Sequence, residues 1–206
     1  MTDTNKSETR SLIPQIVRLT ALCMAAFQIY TAQFGLFSAM VQRPIHLAFA
    51  CTLVLLLIPI NRQGSKEAGE YPLTLQLLDW GLIVVSVACL IYLSLSYKTL
   101  ASRGGAATGT DLVLGAVTIL FVLECTRRLM GWALPIITIV ALCYTLIGDR
   151  IPGLWGHFPI DMEQLISYQY LTTEGLFGIP LGVSASFIFI FIMFGAFLVT
   201  SGTGEF

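Results

Sequence analysis

The sequence predicts an all-α integral membrane protein, because charged residues are scarce and the gaps between them are long. Only 11% of the 206 residues are charged, whereas ordinary soluble domains carry about 25%. Mean hydropathy is +0.81. Several stretches between neighbouring charges exceed the roughly 18 apolar residues that cross a bilayer as a helix. Inside hydrocarbon, every backbone N–H and C=O must be bonded within the segment, so these stretches are predicted to be helices.

Six membrane segments follow from these gaps. They cover approximately residues 17–40, 44–60, 75–97, 112–125, 131–147 and 177–200. Pro44 falls in the first turn of the second segment, where proline is tolerated. The fourth segment is the shortest, because Asp111 and Glu124 bracket it. If the fourth segment does not span the membrane, every later segment changes side.

The stretches between the segments are polar or mixed. Residues 61–74 and 98–110 are predicted loops, because turn-forming and charged residues concentrate there. The longer stretch 148–175 is expected to contain a short helix that opens at Asp161 as its N-cap. Tyr168 and Tyr170 suit a position at the membrane–water interface.

The distribution of Lys and Arg predicts the orientation. With a cytoplasmic N-terminus, seven of the 11 basic residues lie inside (Lys6, Arg10, Arg18, Arg62, Lys66, Arg127 and Arg128) and four lie outside (Arg43, Lys98, Arg103 and Arg150). Because cytoplasmic loops carry an excess of Lys and Arg, this orientation is favoured. Residues 1–16 then form a cytoplasmic tail, and the stretch 148–175 lies outside.

Composition and motifs exclude several function classes. A net charge of −1 provides no basic surface for nucleic acid. The sequence contains no H-E-x-x-H, Walker A or redox motif. We therefore predict no catalytic residue, no cofactor, no metal site and no nucleotide-driven transport on this chain. The cysteines lack C-x-x-C spacing and are predicted to be small buried hydrophobes rather than disulfide or metal sites; they are Cys23, Cys51, Cys89, Cys125 and Cys143.

Charged residues near the segment ends have structural interpretations. Glu124 can pair with Arg127 or Arg128, because residues three and four apart are neighbours on a helix. Long basic side chains at a helix end reach the membrane surface, so these arginines are predicted to anchor the helix. The alternative is an ion pair that ties the helix to a partner helix or to lipid headgroups. Asp79 and Asp111 are expected to cap helix starts.

The last thirty residues are rich in small side chains. Gly178, Gly182 and Ser186 would share one helical face, and the G-x-x-x-G spacing favours close helix packing. Ser201 and Gly202 begin either a plain exit turn or an unwound stretch that lines a substrate or ion site. Ser184 lies in a turn loosely like that of a serine nucleophile, and His46 is the single histidine within a membrane segment that could serve as its base.

Several uncommon strings resemble one transporter family. They are DLVLG (111–115), LECTRRLMGWALP (123–135), YLTTEGLFGIPLGVSA (170–185) and FIMFGAFLVTSGTGEF (191–206), with FQIY (27–30) and RPIHLAF (43–49) earlier. In this order they resemble the fused permease of tripartite ATP-independent periplasmic (TRAP) transporters, in the branch with TAXI-type binding proteins. The resemblance extends over most of the chain beyond residue 17.

The resemblance implies a domain plan. A small four-helix scaffold domain would cover 17–128, a connecting membrane helix 129–148, an outside loop with a short interfacial helix 149–175, and the opening of an elevator-type transport domain 176–206. Family members continue for several hundred residues beyond the stretch that contains Phe206. The chain alone is therefore expected to be a scaffold with a truncated transport domain, inactive by itself.

The resemblance also implies an activity and partners. Such a permease takes up an organic acid in the bacterial inner membrane, driven by an ion gradient, and is not an enzyme. Its partners would be a periplasmic TAXI-type binding protein, the remainder of the large permease domain and the lipid bilayer. The binding protein would face Thr172, Thr173 and Glu174. The transport domain would begin with Gly178, Pro180, Gly182, Ser184, Ser201 and Gly202.

Two other functions stay open at this stage. One is an intramembrane serine hydrolase that uses Ser184 and His46. The other is a structural subunit of a different membrane complex.

Overall fold

The computed structural model describes residues 2–58, 73–103 and 105–203, and all of its regular elements are helical. The helices are α1 (Thr2–Phe34), α2 (Ala39–Leu57), α3 (Leu73–Ser102), α4 (Gly109–Met130), α5 (Ala133–Ile147), α6 (Met162–Leu171), α7 (Ile179–Val183) and α8 (Phe189–Thr200). Short 3₁₀ turns at Gly148–Arg150 and Gly153–Trp155 follow α5, and a π-helical turn at Ser184–Ile188 joins α7 to α8. No strand occurs in these ranges, so the all-α prediction is confirmed.

Five spans in the described part of the chain are long and apolar enough to cross a membrane. They are Ala39–Leu57, Leu77–Leu100, Gly109–Met130, Ala133–Arg150 and Ile179–Thr200. They match the second to sixth predicted segments. The crossing of the first predicted segment, 17–40, stays a prediction, and its end was wrong. Helix α1 stops at Phe34, because Gly35 adopts a φ of 105°, which favours glycine, and α2 starts at Ala39.

Other predicted boundaries shift for identifiable reasons. The fourth segment is not short: α4 runs from Gly109 to Met130, so Asp111 and Glu124 lie within the helix instead of bounding it. Helix α3 continues to Ser102, which places the first part of the predicted 98–110 loop in the helix. Residues 2–16 are helical and belong to α1. Most of the predicted loop 61–74 lies outside the described residues.

The core lies among α2, α3 and α4, with α6 packed against α4. One cluster of buried side chains joins α2, α3 and α4. It consists of Cys51, Leu55, Ile83, Phe121 and Cys125. A second joins α3 to the chain around α6, through Leu90, Leu93, Tyr170 and Phe177. In contrast, only 6% of the Ile179–Thr200 span is buried, against 33% of the Leu77–Leu100 span. The apolar surface of the last helix is therefore open to lipid or to other protein.

The cysteine prediction is partly confirmed. Cys51, Cys89 and Cys125 are buried and free. Cys23 and Cys143 are exposed, so the prediction of burial was wrong for these two. Cys23 lies on α1 and Cys143 on α5, at positions that other described helices do not cover.

Helix α6 begins as predicted, with an Asp161 carboxylate oxygen accepting the Gln164 backbone N–H at 2.7 Å. It packs closely on α4 because Gly115 has no side chain: a Cβ there would lie 2.7 Å from Ile166 Cγ2. Tyr170 is fully buried, and its hydroxyl donates to the Cys89 carbonyl at 2.8 Å. The predicted interfacial position was therefore wrong for Tyr170, whereas Tyr168 is 52% exposed.

Candidate functional site

Two clusters of polar side chains lie between the packed helices. The first, called here the ion-pair cluster, consists of Asp79, Glu124, Arg127 and Arg128. Glu124 bonds both arginines: its carboxylate accepts from Arg127 Nε at 2.7 Å and from Arg128 Nε at 2.8 Å. Arg128 also donates to Asp79 Oδ1 at 2.7 Å. The three residues predicted to form an ion pair are thus brought together, with a fourth from another helix.

The two arginines differ in their surroundings. The Arg128 side chain is only 1% exposed, and its NH1 donates to the Ile58 carbonyl at 3.2 Å, just after α2. Arg127 is 20% exposed, and its guanidinium lies 5.3 Å from the centre of the Trp132 ring. Arg128 therefore ties α4 to α2 and α3 in the interior, while Arg127 has the position of a surface anchor.

The two aspartates predicted as caps behave differently. Asp79 lies inside α3, beyond its first turn, and pairs with Arg128, so its assignment as a cap was wrong. Asp111 forms a capping box with Thr108 at the start of α4, where its carboxylate accepts the Thr108 backbone N–H at 2.9 Å. Asp111 also bonds Tyr92 and Arg103. It thereby fixes the connection between α3 and α4.

The second cluster, called here the histidine cluster, joins α1, α2 and the π turn. It consists of Gln28, Thr31, Gln42, His46 and Ser184. His46 Nδ1 lies 2.7 Å from Gln28 Nε2, and His46 Nε2 lies 3.3 Å from Ser184 Oγ. Gln42 Nε2 lies within 3.4 Å of acceptors on Gln28, Thr31 and Ala185. All of these side chains except Ser184 are buried.

The bonding partners fix the direction of the hydrogen bonds. The Ala185 carbonyl can only accept, so Gln42 presents its amino group to it and to Gln28 Oε1. Gln28 therefore turns its own amino group toward His46 Nδ1. A neutral imidazole with an acceptor at Nδ1 carries its proton on Nε2. His46 thus donates to Ser184 Oγ, and the Gln42 Oε1 atom is left buried without a donor.

The π turn is stabilised from α2. Gln42 donates to Ala185 O within the turn, and Arg43 donates to Phe177 O just before α7. Gly182 leaves room for the arginine, because a Cβ there would lie 2.8 Å from Arg43 Nε. The glycine face was predicted to pack against another helix, but Gly182 packs against the Arg43 side chain instead. Gly178 is the N-cap before α7.

The other predicted transport-domain residues lie apart from the histidine cluster. Pro180 is exposed in the first turn of α7. Ser201 follows α8 and donates to the Leu198 carbonyl at 3.0 Å, and Gly202 has a φ of 77°. Residues 201–203 thus form a turn after α8, and the choice between an exit turn and an unwound stretch stays a prediction.

The predicted partner-facing residues close the end of α6. Thr172 Oγ donates to the Tyr168 carbonyl at 2.7 Å and accepts the Glu174 backbone N–H at 3.2 Å. Thr173 is half-buried, and the Glu174 side chain is exposed. Glu174 is therefore the member of this group most accessible to a partner.

Sequence reasoning missed Gln28, Thr31 and Gln42. A signal was present, since uncharged polar residues inside apolar helices need hydrogen-bond partners. Gln28 and Thr31 are three residues apart, and Gln42 and His46 are four apart, so each pair shares a helix face. Within the described ranges, no three His, Cys, Asp or Glu side chains are grouped to hold a metal ion.

Comparisons with known protein families, with curated proteins and with solved structures found no match. Function is therefore inferred from the residues and geometry above.

Proposed function

We propose that this chain is a component of a TRAP-type membrane permease. It would act in the uptake of an organic acid that a periplasmic TAXI-type binding protein delivers, driven by an ion gradient. The sequence strings that resemble this family carry the proposal, and the histidine cluster is the structural observation that supports it. Polar side chains inside membrane helices are costly, and they mark ligand and ion pathways. Here they meet at a π turn, an irregularity that is frequent at functional sites.

The packing supports a division into a scaffold and a terminal helix. The ion-pair cluster joins α2, α3 and α4, and in the proposal this bundle forms the four-helix scaffold domain together with α1. The α7–α8 span contacts it through Gln42, Arg43 and His46 on α2 and is otherwise little covered. In the proposal, this span opens the transport domain, and the histidine cluster is the contact between the two.

The binding protein is proposed to dock on the segment that contains Glu174. Glu174→Gln removes an exposed charge without altering the backbone, so affinity for the purified binding protein should fall severalfold. Glu163→Gln is the matched control, because Glu163 is also exposed in the first turn of α6. Equal affinities for the native protein and both variants would remove this assignment.

Copurification of the intact gene product from native membranes tests the proposal as a whole. A permease component should bring down a solute-binding protein and the large transport domain, either as a separate chain or as part of the same polypeptide. Purification as part of an unrelated complex, with neither of these, would instead favour a structural subunit.

A serine hydrolase is the second candidate, because Ser184 Oγ lies 3.3 Å from His46 Nε2. The hydrogen-bond directions oppose it. A general base needs a free lone pair on Nε2 and a partner that accepts from Nδ1–H, whereas Gln28 donates to Nδ1. We expect no labelling of Ser184 by a fluorophosphonate probe. Labelling of the native protein that disappears in Ser184→Ala would establish the hydrolase.

A further inference from the structure

Three large apolar side chains in the connection between α5 and α6 are highly exposed. Leu154, Trp155 and Phe158 have relative exposures of 102%, 74% and 90%. They lie in the connection between α5 and α6, called here the Trp155 loop (residues 151–158). Side chains of this size normally fold back onto a core, because burial of each stabilises the folded state. Their full exposure calls for a partner.

The Trp155 loop is held in place by hydrogen bonds to the end of α5. The Tyr144 hydroxyl donates to the Trp155 carbonyl at 2.6 Å. The His157 ring contacts the Phe158 carbonyl through Nδ1 at 2.7 Å and the Tyr144 carbonyl through Nε2 at 3.3 Å. The same ring packs directly on Gly148, where there is no room for a Cβ. These contacts fix the backbone while the apolar side chains point away from the protein.

Two glycines also shape the backbone of the Trp155 loop. Gly153 has a φ of 87°, in the left-handed region that favours glycine. Gly156 packs so closely against the Ile151 carbonyl that a side chain would not fit. The loop is therefore a compact turn with a defined outer surface, built from Leu154, Trp155 and Phe158.

The Trp155 loop lies at the end of a membrane-length helix, where lipid headgroups are the expected surroundings. The loop follows immediately after the membrane-length span Ala133–Arg150. One face of that span is an exposed apolar stripe, consisting of Ile136, Val140, Tyr144 and Ile147. Tyr144 both belongs to the stripe and binds the loop, so the loop is attached to the exposed apolar face of α5 at its end. Asp149 and Arg150, between helix and loop, are polar and exposed, as expected among headgroups.

We infer that the Trp155 loop is a membrane-interface anchor, with Leu154, Trp155 and Phe158 inserted at the boundary between headgroups and acyl chains. Trp is enriched at this boundary, and apolar side chains of interfacial segments reach a few ångströms below it. The irregular backbone of the loop stays in the headgroup layer, because hydrocarbon does not tolerate unpaired backbone groups. The anchor sets the depth of the α5 end and of the start of α6. It does not depend on the transport proposal.

Tryptophan fluorescence of the full chain in phosphatidylcholine vesicles tests the inference. The chain has three tryptophans, so Trp80→Phe with Trp132→Phe leaves Trp155 alone. Lipids brominated near the headgroup end of the acyl chains should quench most of its emission. Lipids brominated near the methyl end should quench less, and iodide in the water little. If the double variant does not fold, the difference between the native protein and Trp155→Phe gives the same profile.

A matched variant tests the role of the fixed loop. Tyr144→Phe keeps the ring but removes the hydroxyl that holds Trp155, so quenching by shallow bromines should fall while iodide quenching rises. Strong iodide quenching of Trp155 in the native protein, with no effect of brominated lipid, would overturn the inference. So would protection of Trp155 that appears only when the purified solute-binding protein is added, because the loop would then be a protein-docking surface.

Discussion

Replacing Arg128 by Met removes the central cation of the ion-pair cluster at nearly constant volume. The lost hydrogen bonds run to Asp79 at 2.7 Å, to Glu124 at 2.8 Å and to the Ile58 carbonyl at 3.2 Å. Glu124 keeps its bonds to Arg127, so Asp79 is the carboxylate that loses its guanidinium. Breaking a buried ion pair by removing one partner costs about 3–5 kcal/mol. We expect about 3 kcal/mol here, at the lower end of that range, because Glu124 keeps both of its bonds to Arg127.

Arg127→Met is the matched control. It removes a guanidinium bonded to the same Glu124, but at a site that is 20% exposed. Exposed pairs contribute about 0–1 kcal/mol, so this variant should differ from the native protein by no more than that. Asp79→Leu combined with Arg128→Met removes both charges and should recover part of the stability lost in Arg128→Met alone.

The free energy of unfolding in mixed micelles, measured by titration with a denaturing detergent, is compared for the native protein, these three variants and Asp79→Leu alone. A double-mutant cycle then yields the coupling between Asp79 and Arg128. The reasoning fails if Arg128→Met costs no more than Arg127→Met. It fails equally if the coupling energy is close to zero.

Three further predictions concern packing, ionisation and bond direction. Gly115→Ala brings a Cβ to 2.7 Å from Ile166 Cγ2, so it should lower the free energy of unfolding, measured by thermal unfolding, by about 1–3 kcal/mol. Gly195→Ala is the control and should change it little, because nothing lies within 4 Å of that position. Burial raises the pKa of Tyr170 above its ordinary value. Its contribution to stability is therefore complete below the unfolded pKa of about 10 and declines as pH rises further, a decline that Tyr170→Phe should remove. Nitrogen NMR should find His46 protonated on Nε2, and a proton on Nδ1 would contradict the hydrogen-bond directions.

The helices could be predicted because a long stretch without charged residues crosses a bilayer as a helix, which satisfies its own backbone hydrogen bonds. Their ends were harder to predict. Asp111 and Glu124 resemble the borders of a segment, but α4 contains both, because each has hydrogen-bond partners nearby. Asp111 bonds the N-cap Thr108 and Tyr92 on α3, and Glu124 bonds two arginines one turn along α4. The break at Gly35 depends on one residue with a positive φ, and a glycine within an apolar stretch does not by itself indicate this.

The candidate site could be predicted only in part. Ser184 and His46 were recognised as residue types, but their contact joins positions 138 residues apart. Arg127 and Arg128 are neighbours in sequence, and the packing of α4 against α2 and α3 leaves one 20% exposed and the other 1% exposed. The contacts of Ala185 and Gly182 with α2 join residues far apart in the chain, so local sequence does not reveal them.

Uptake by the intact gene product, reconstituted in proteoliposomes with its solute-binding protein, tests the proposed function most directly. Labelled organic acids would be supplied under an imposed sodium or proton gradient. The proposal predicts uptake that requires both the binding protein and one of the gradients and that stops when the gradient is collapsed. No uptake under either gradient by a folded protein, or uptake that is unaffected by omitting the binding protein, would contradict it.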